Sequence, residues 1–493
     1  MDLAFLKEIE GDSRISAEAI RGAVEKAVRE KVLKPGDKMP STRDIAIYLG
    51  VSRTTVVSAF DTLGALGYLN TSRGAGTWIR DPEEVDSTAV VTGEESSSLP
   101  SKEALLWERR RNNLAQRILA RANHRPDSSE LDQSNFGAPS KRLLPVRQWR
   151  QITTNISRNM EKTGFEDNRD VFGYFPLREA VAGYLRRNKG IVCSADQIVL
   201  NSGVERVFSP VFSLLIKAGD RMVVENPGFY GAREQFHSLG AEVLSVPVDE
   251  EGIIVGALDQ LESLPQWIYL APSCQEPTGV ILSQERRVEL LDWAHRNDCA
   301  IIEDDWDSDF HYSSQSARTI FSQDPTGSVI YFYSFWRLLY PLCFTGVLVI
   351  PESLIDLFKG YMGMFDRQFT LMEHYVLTEM IEEGHVEKYI RKTWKYFKRC
   401  RQALIYALKT GFKDRVEIVG SSTGLHVLAR FDSEIDSEKL EKAALRAEFP
   451  MVCTDLFYVD EAPKNEYLIR FAEMELEKVD GMVKEFVDSV LHD

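Results

Sequence analysis

The chain has 493 residues, more than the ~250–300 at which a single hydrophobic core stops growing, so we expect at least two domains. Its net charge of −16 argues against nucleic-acid binding by the chain as a whole. No run approaches the ~20 apolar residues that cross a bilayer, and the six cysteines lack metal-ligand or disulfide spacing, so we expect a cytoplasmic protein without membrane contact.

The charge is unevenly distributed along the chain. Residues 1–80 carry 12 basic and 10 acidic side chains, which leaves 47 basic and 65 acidic side chains in residues 81–493. The stretch DPEEVDSTAVVTGEESSSLP at 81–100 contains six acids and no bases, a composition too polar to form a core. Apolar residues then recur at helical spacing up to about residue 123. We interpret 81–125 as a linker with a helical connector.

Three serines mark the starts of helices in the N-terminal segment. Ser16 precedes an amphipathic stretch, Ser41 precedes a second helix that ends near Leu49, and Ser52 precedes a third. A tight turn at Gly50 separates the second helix from the third. This spacing is typical of a helix-turn-helix, in which the first turn of the later helix faces the DNA major groove.

A predicted hairpin with a glycine-rich tip, 72–76, completes the N-terminal segment. The stretch KPGDKMPSTRDIAIYLGVSRTTVVSAFDTLGALGYLNTSRGAGTWI closely resembles the GntR family of winged helix-turn-helix repressors. The resemblance implies a DNA-binding domain over 1–80, with Gly76 giving clearance at the wing and Ser41 acting chiefly as a helix cap. The DNA-binding set is Ser41, Arg43, Arg53, Thr54, Thr55, Arg73 and Gly76.

The remainder of the chain alternates short apolar runs with amphipathic segments. Helices are predicted at 286–296 and 387–408. Such alternation predicts an α/β domain with a mostly parallel sheet flanked by helices, so the whole chain is multidomain. The buried strands are predicted at 197–200, 221–224, 267–271, 300–303, 329–332 and 346–350.

A GntR-type module joined to a domain at 126–493 resembles the MocR-like subgroup of the GntR family. That subgroup combines a winged helix-turn-helix with an α/β domain of the type I aminotransferase fold. The resemblance implies that Ser202 and Gly203 lie where a phosphate would bind, that Phe229 would stack on a pyridine ring, and that Asp304 would pair with the ring nitrogen. These residues follow predicted strands, where open α/β sheets build their sites.

The sequence departs from the family where the cofactor would react. In the segment SFWRLLYPLCF, Pro341 keeps the register, so Arg337 occupies the position of the Schiff-base lysine and Phe344 that of a phosphate-binding arginine. A guanidinium, with a pKa above about 12, provides no free amine to form an imine. Trp306 replaces a tyrosine that would bond the ring oxygen. We therefore expect no covalently bound pyridoxal phosphate, no catalytic residues and no enzyme activity.

Arg337 has two alternative roles: it binds an anionic effector, or it forms a buried ion pair with Asp304. Arg470 lies near the place of a carboxylate-binding arginine in aminotransferase-fold proteins. The candidate effector pocket, which is the former cofactor site, comprises Ser202, Gly203, Phe229, Asp304, Trp306, Ser334, Arg337, Phe344 and Arg470. We expect no metal site.

These observations favour a homodimeric transcriptional regulator whose partners are a double-stranded DNA operator and a small-molecule effector. Three alternatives stay open: a regulator that binds pyridoxal or pyridoxamine phosphate without a covalent bond, an active aminotransferase, and a large domain that only dimerises. The basic stretch KYIRKTWKYFKRCR at 388–401 is interpreted as a solvated helix face, although it could also bind nucleic acid.

Overall fold

A computed structural model gives the fold of both parts of the chain. The chain divides into two compact units, residues 1–107 and 108–493. The predicted linker and connector, 81–125, lie outside the described residues. The structure describes residues 3–9, 15–72, 76–80, 139–163, 170–203, 208–312, 318–365, 370–420 and 423–491.

Within its described residues, the N-terminal unit contains three α-helices and a two-stranded hairpin. Its elements are α1 (Ala17–Arg29), α2 (Thr42–Leu49), α3 (Arg53–Ala65), β1 (Leu69–Ser72) and β2 (Gly76–Ile79). The strands pair antiparallel with Leu69 opposite Ile79. Fully buried side chains from each helix, such as Ile20, Ile45 and Val56, share one core with the hairpin. The predicted helix-turn-helix and wing strands are confirmed.

The predicted serine caps also form. Ser16 Oγ accepts the backbone N–H of Ala19, and Ser52 Oγ accepts that of Thr55, each at 3.2 Å. These bonds satisfy N–H groups that a helix start would otherwise leave without partners. Gly50 ends α2 with a φ of 65°, a left-handed conformation that glycine adopts at little cost.

The second unit is built around an eight-stranded sheet. The order of the strands across the sheet is β3-β10-β9-β8-β7-β4-β5-β6. The five consecutive strands β9, β8, β7, β4 and β5 run parallel to one another. The predicted strands are confirmed, with bounds that shift by at most two residues. The strands are β3 (Ile198–Ser202), β4 (Arg221–Asn226), β5 (Glu242–Asp249), β6 (Gly252–Ile253), β7 (Trp267–Leu270), β8 (Ala300–Asp305), β9 (Val329–Ser334) and β10 (Thr345–Val349).

Helices cover this sheet, and a smaller antiparallel sheet follows it in the chain. The smaller sheet has the order β11-β12-β14-β13. Its strands are β11 (Val416–Val419), β12 (His426–Phe431), β13 (Met451–Cys453) and β14 (Glu466–Arg470). The helices are α4 (Val146–Thr163), α5 (Phe175–Lys189), α6 (Ser209–Leu215), α7 (Tyr230–Ser238), α8 (Gln284–Arg296), α9 (Trp336–Leu339), α10 (Ile355–Phe365), α11 (Leu371–Glu382), α12 (His385–Phe412), α13 (Ser437–Arg446) and α14 (Val479–Leu491).

The two faces of the large sheet bury separate cores. On β8, Ile301 packs into one cluster and Ile302 into the other, because successive side chains of a strand point to opposite faces. A third cluster joins the smaller sheet to α12 and α14. Within the described ranges, no helix is both long and apolar enough to cross a membrane.

The packing of α12 on α14 can be tested with two glycines. A Cβ added at Gly411 would lie 2.5 Å from Val487 Cγ2, whereas a Cβ at Gly360 in α10 would meet no atom within 4 Å. We expect Gly411→Ala to destabilise the protein by about 1–3 kcal/mol through overpacking. Gly360→Ala should be neutral or stabilising by up to about 1 kcal/mol, because alanine favours helix. Urea unfolding of the two variants and the parent measures these changes in the free energy of unfolding. Equal changes in Gly411→Ala and Gly360→Ala would contradict the close packing of Gly411 on Val487.

Candidate functional site

The exposed face of α3 presents the predicted DNA-contacting residues. Arg53 and Thr54 are exposed in the first turn of the helix. The Thr54 and Thr55 hydroxyls lie 2.7 and 2.8 Å from Ser52 Oγ, so the cap also orients both side chains. Four further residues, which sequence reasoning missed, continue the same shallow surface along the helix: Val57, Ser58, Asp61 and Thr62. The helical period of 3.6 residues could have identified them, because they lie three, four, seven and eight positions after Thr54 and so share its side of the helix.

The other predicted DNA contacts lie around this helix. Arg43 is exposed in α2, and neither it nor Arg53 forms an ion pair with another described residue. Ser41 Oγ accepts the N–H of Asp44 at 3.2 Å, so Ser41 acts as a cap. Gly76 lies against Lys38, whose Cε would be 2.7 Å from an added Cβ. Arg73 lies outside the described residues.

In the second unit, the predicted pocket residues gather at one edge of the large sheet. Ser202, Asp304 and Ser334 stand at or next to the carboxyl ends of β3, β8 and β9. Phe229 follows β4 by three residues, and Arg337 lies in the short helix after β9. Open α/β sheets place their ligands at this edge, because the loops after the strands converge there.

Arg337, in this group, is only 2% exposed. Its guanidinium carbon lies 4.0 Å from the centre of the Trp306 ring, a cation–π contact. One guanidinium nitrogen lies 3.4 Å from Asp307 Oδ2. Trp306 is itself held by a 3.1 Å bond from its indole N–H to the Cys274 carbonyl oxygen. The arginine therefore has an aromatic and an anionic neighbour.

The structure places Asp307, and not only the expected Asp304, beside Arg337: Asp307 Oδ2 lies 3.4 Å from a guanidinium nitrogen, while Asp304 also attracts the guanidinium coulombically. Asp304 shares the β8 face of Ile302 and accepts a hydrogen bond from the Tyr269 hydroxyl of β7. Asp307 lies beyond the end of the strand, where its Oδ2 also accepts the Leu425 N–H at 3.3 Å. Strand alternation and the neighbouring tyrosine therefore decide which aspartate meets the arginine.

Three buried carboxyl groups, those of Glu276, Asp304 and Asp307, interact with the Arg337 guanidinium, and a fourth, Glu225, interacts with Asp304. Burial raises the pKa of Glu225 and of Glu276 to about 8, and it raises the pKa of Asp304 and of Asp307 to about 7. Arg337 opposes the shift at Glu276, Asp304 and Asp307 without cancelling it. At neutral pH the two glutamates therefore hold protons and the two aspartates are partly protonated, so the site carries less negative charge than its composition indicates.

His426 is a site residue that sequence reasoning missed. Its ring stacks parallel to Trp306, with centroids 6.4 Å apart, and its Nε2 lies 3.0 Å from the Pro277 carbonyl oxygen. Burial and Arg337 lower its pKa to about 3, so the ring is neutral. Arg470 is directly opposite His426 in the smaller sheet, so both side chains lie on one face and Arg470 is brought towards this site. No motif in the sequence signals His426.

The remaining predicted pocket residues have local structural contacts. Ser334 Oγ accepts the Trp336 N–H at 3.1 Å. The Gly203 N–H donates to the Phe344 carbonyl oxygen at 2.8 Å, and the Phe344 side chain is 40% exposed. The Phe229 ring lies over Gly231, where an added Cβ would be 2.4 Å from Phe229 Cζ. The side chain of Ser202 is not among those described.

One buried lysine lies close to this segment of the chain. Lys189 Nζ is 3.1 Å from Asp309 and 3.6 Å from Asp305, and it donates to Ser308 Oγ. Burial lowers the pKa of Lys189, but the two aspartates outweigh burial and raise the pKa above its usual value. Asp305 points to the opposite face of β8 from Asp304. The amine is therefore protonated and paired with Asp305 and Asp309.

Comparison with known families defines the class of protein. The aminotransferase class I and II family model matches residues 146–486, and the model of the gntR family of bacterial regulatory proteins matches residues 16–79. The chain therefore belongs to the aminotransferase class I and II family over most of its length and carries a GntR helix-turn-helix domain before it. This combination makes it a member of the MocR-like subgroup of the GntR family, a group of DNA-binding transcriptional regulators.

Individual proteins agree with this assignment. The chain is 28% identical over 422 residues to the probable rhizopine catabolism regulatory protein MocR of Rhizobium meliloti, covering 84% of this chain and 81% of that one. It is 27% identical over 418 residues to the pyridoxine biosynthesis transcriptional regulator PdxR of Corynebacterium glutamicum, with 84% and 83% covered. The multiple substrate aminotransferase of Thermococcus profundus shares the fold, with a TM-score of 0.68, 22% identity, and 78% and 98% covered.

The raised pKa values predict how stability depends on pH. Between about pH 6 and 7.5 the unfolded carboxyls are ionised while the buried Glu225 and Glu276, with pKa values of about 8, still hold protons, so the folded state binds more protons and the free energy of unfolding falls as pH rises. Glu276→Gln should reduce this fall by about 1–2 kcal/mol, because it removes one group whose pKa is about 8.

Urea unfolding at a series of pH values measures this effect. Glu262→Gln is the matched control, because Glu262 is exposed in the same unit. The control should keep the parent's pH dependence. An identical dependence in Glu276→Gln would contradict the assignment of a protonated Glu276 to the folded state.

Proposed function

We propose that the protein is a homodimeric regulator that binds operator DNA through its N-terminal unit and holds a small effector, without a covalent bond, in its second unit. The observation that carries the proposal is the arginine at position 337, stacked on Trp306 and paired with Asp307 where the family carries a reactive lysine. The relatives named as transcriptional regulators support the regulatory role.

The DNA-binding part of the proposal is supported by the exposed residues of α3 and α2. Arg53 and Arg43 are exposed, without ion pairs among the described residues, on a unit less acidic than the rest of the chain. An exposed guanidinium can bond guanine in the major groove or a phosphate. Two copies of the N-terminal unit in a dimer would read paired half-sites. Arg73, which we also assign to DNA, lies outside the described residues.

The residues at the former cofactor site do not fit a covalently held pyridoxal phosphate. Arg337 offers no neutral amine, and Phe344 offers no charge to a phosphate. The Gly203 N–H is already bonded to Phe344. Lys189, the nearest buried amine along this segment, is protonated by its pairing with Asp305 and Asp309. We therefore propose that the protein is not an aminotransferase.

An anionic effector would suit the Arg337 guanidinium. The 3.4 Å separation from Asp307 is longer than the 2.7–2.9 Å of a strong charge-assisted bond. We propose that the effector's anionic group replaces Asp307 beside the guanidinium and that Asp307 then takes up a proton, as its raised pKa favours. A ligand regulates DNA binding only if it prefers one of two states, and the change of partner at Arg337 provides two states.

The DNA-binding role predicts a loss specific to α3. Arg53→Ala should weaken binding to a duplex selected from a random pool by about 10- to 100-fold, the cost of one guanidinium contact to a base. Arg29→Ala, which removes an exposed arginine from α1, is the matched control and should bind nearly as well as the parent. Fluorescence anisotropy at one salt concentration measures both. Equal losses in the two variants would indicate non-specific attraction and contradict base recognition by α3.

The proposal that pyridoxal phosphate is not bound covalently can be tested by the absorption of the treated protein. After incubation with excess pyridoxal phosphate, borohydride treatment and desalting, the parent protein should retain no cofactor absorption, because no neutral amine forms an imine. Arg337→Lys, which supplies an amine at the family's position, should retain more than the parent. A pyridoxal-phosphate aminotransferase treated in parallel is the positive control.

Two results would change this assignment. Absorption retained by the parent would overturn the non-covalent proposal, and peptide mapping would then identify the reacting amine. Saturable binding in equilibrium dialysis without trapping would instead favour a regulator that holds pyridoxal phosphate non-covalently through Asp304 and Phe229.

A further inference from the structure

One side of α12 carries a row of exposed cations. At 3.6 residues per turn the six lie within roughly 100° of the helix circumference. The opposite side, which includes Phe397 and Leu404, is fully buried in the core. We call this surface the basic face, and its cations are Lys388, Arg391, Lys392, Lys395, Arg399 and Lys409.

The basic face is unusual for its surroundings. Residues 388–412 contain eight Lys or Arg and no Asp or Glu, although residues 81–493 as a whole carry 65 acidic and 47 basic side chains. No cation of the basic face forms an ion pair with any residue that the structure describes. Lys388 donates to the Glu383 carbonyl oxygen at 3.1 Å, a contact that leaves its charge uncompensated.

The helix α13 in the same unit has the charge pattern that is usual for a helix facing solvent. Its sequence, SEKLEKAALR, mixes both signs, and Lys442 Nζ lies 2.6 Å from Glu438 one turn earlier. Such pairing is typical of a helix that only faces solvent. Like charges at the same spacing repel, so a row without counter-charges costs stability unless something anionic binds there.

We propose that the basic face binds the phosphates of duplex DNA that flanks the operator. This inference rests on the proposed DNA-binding function. Lys388 to Arg399 spans about 17 Å along the helix, and Lys409 extends the row to about 32 Å. A duplex is an equally linear anion, with one charge per ~1.7 Å of its axis, and each neutralised phosphate releases counterions.

Polar groups next to the row suit the same ligand. A shallow depression at the carboxyl end of α12 is lined by Gln402, Tyr406 and Thr410 beside Lys409. The Tyr406 side chain is 73% exposed. Amides and hydroxyls are common donors to phosphate oxygens, and such contacts position DNA without reading its sequence. The face therefore adds affinity and leaves specificity to α3.

An acidic protein surface, such as that of a second copy of this chain, is the competing occupant. DNA is favoured because the cations form a long row along one helix, and because the same chain carries a helix-turn-helix domain. A protein partner would change the state of association rather than the dependence of binding on DNA length.

The test compares a minimal operator duplex with the same operator extended by flanking DNA. The parent should bind the long duplex more tightly. The full-length variant Lys392→Gln/Lys395→Gln/Arg399→Gln should bind the long duplex about tenfold or more weakly than the parent, and the slope of log affinity against log salt should become shallower by ~2–3. Binding of the minimal duplex should stay within about twofold, because α3 is unchanged.

The control variant Lys217→Gln/Arg296→Gln/Lys484→Gln removes the same charge from exposed positions elsewhere in the unit and should bind both duplexes like the parent. Equal losses in the two triple variants would overturn the proposal, because net charge alone would then explain them. The proposal would also be overturned if the Lys392→Gln/Lys395→Gln/Arg399→Gln variant bound the long duplex as tightly as the parent. A sedimentation coefficient that differed between this variant and the parent would then assign the basic face to protein association. If the parent fails to bind even the minimal duplex, the proposed function fails first.

Discussion

The guanidinium of Arg337 is 2% exposed, and a buried charge of this kind requires compensation by its neighbours. Trp306 supplies the face of an aromatic ring, and Asp307 supplies a carboxylate. The neighbours depend on further contacts, because Trp306 stacks on His426 and bonds the Cys274 carbonyl, while Asp307 accepts the Leu425 N–H. One side chain thus connects the large sheet to the smaller one. A change at position 337 would therefore disturb the edge where both sheets meet.

The same arginine sets the protonation of the carboxyls around it. Burial alone would keep Glu276 and Asp307 neutral well above their usual pKa, and the guanidinium reduces that shift. A site with one permanent cation and several carboxyls that titrate near neutrality can adjust its charge to a ligand. An anion that displaced Asp307 would be accommodated by protonation of that aspartate, at a small energetic cost because its pKa is about 7. This property distinguishes the site from a rigid ion pair.

Much of the fold follows from the sequence because local rules govern it. Ser16 and Ser52 cap helices because their hydroxyls accept backbone N–H groups three residues on. Six apolar runs of four or five residues became strands of the large sheet, because both faces of that sheet are buried. The carboxyl ends of those strands then brought Phe229, Asp304 and Arg337 to one edge. Parallel topology, rather than a contact between particular side chains, produces that convergence.

The sequence by itself determined the two-part architecture and the helix-turn-helix, and it predicts that Arg337 stands where the family carries a lysine. Only the tertiary structure decided which groups that arginine meets. Asp304 was the closer candidate by motif, but strand alternation and the Tyr269 hydroxyl hold it on one face of β8, while the turn after the strand presents Asp307. His426 lies 120 residues beyond Trp306 in the chain, and no local pattern relates them. Contacts between distant segments depend on how sheets pack, and that information is absent from the spacing of residues along the chain.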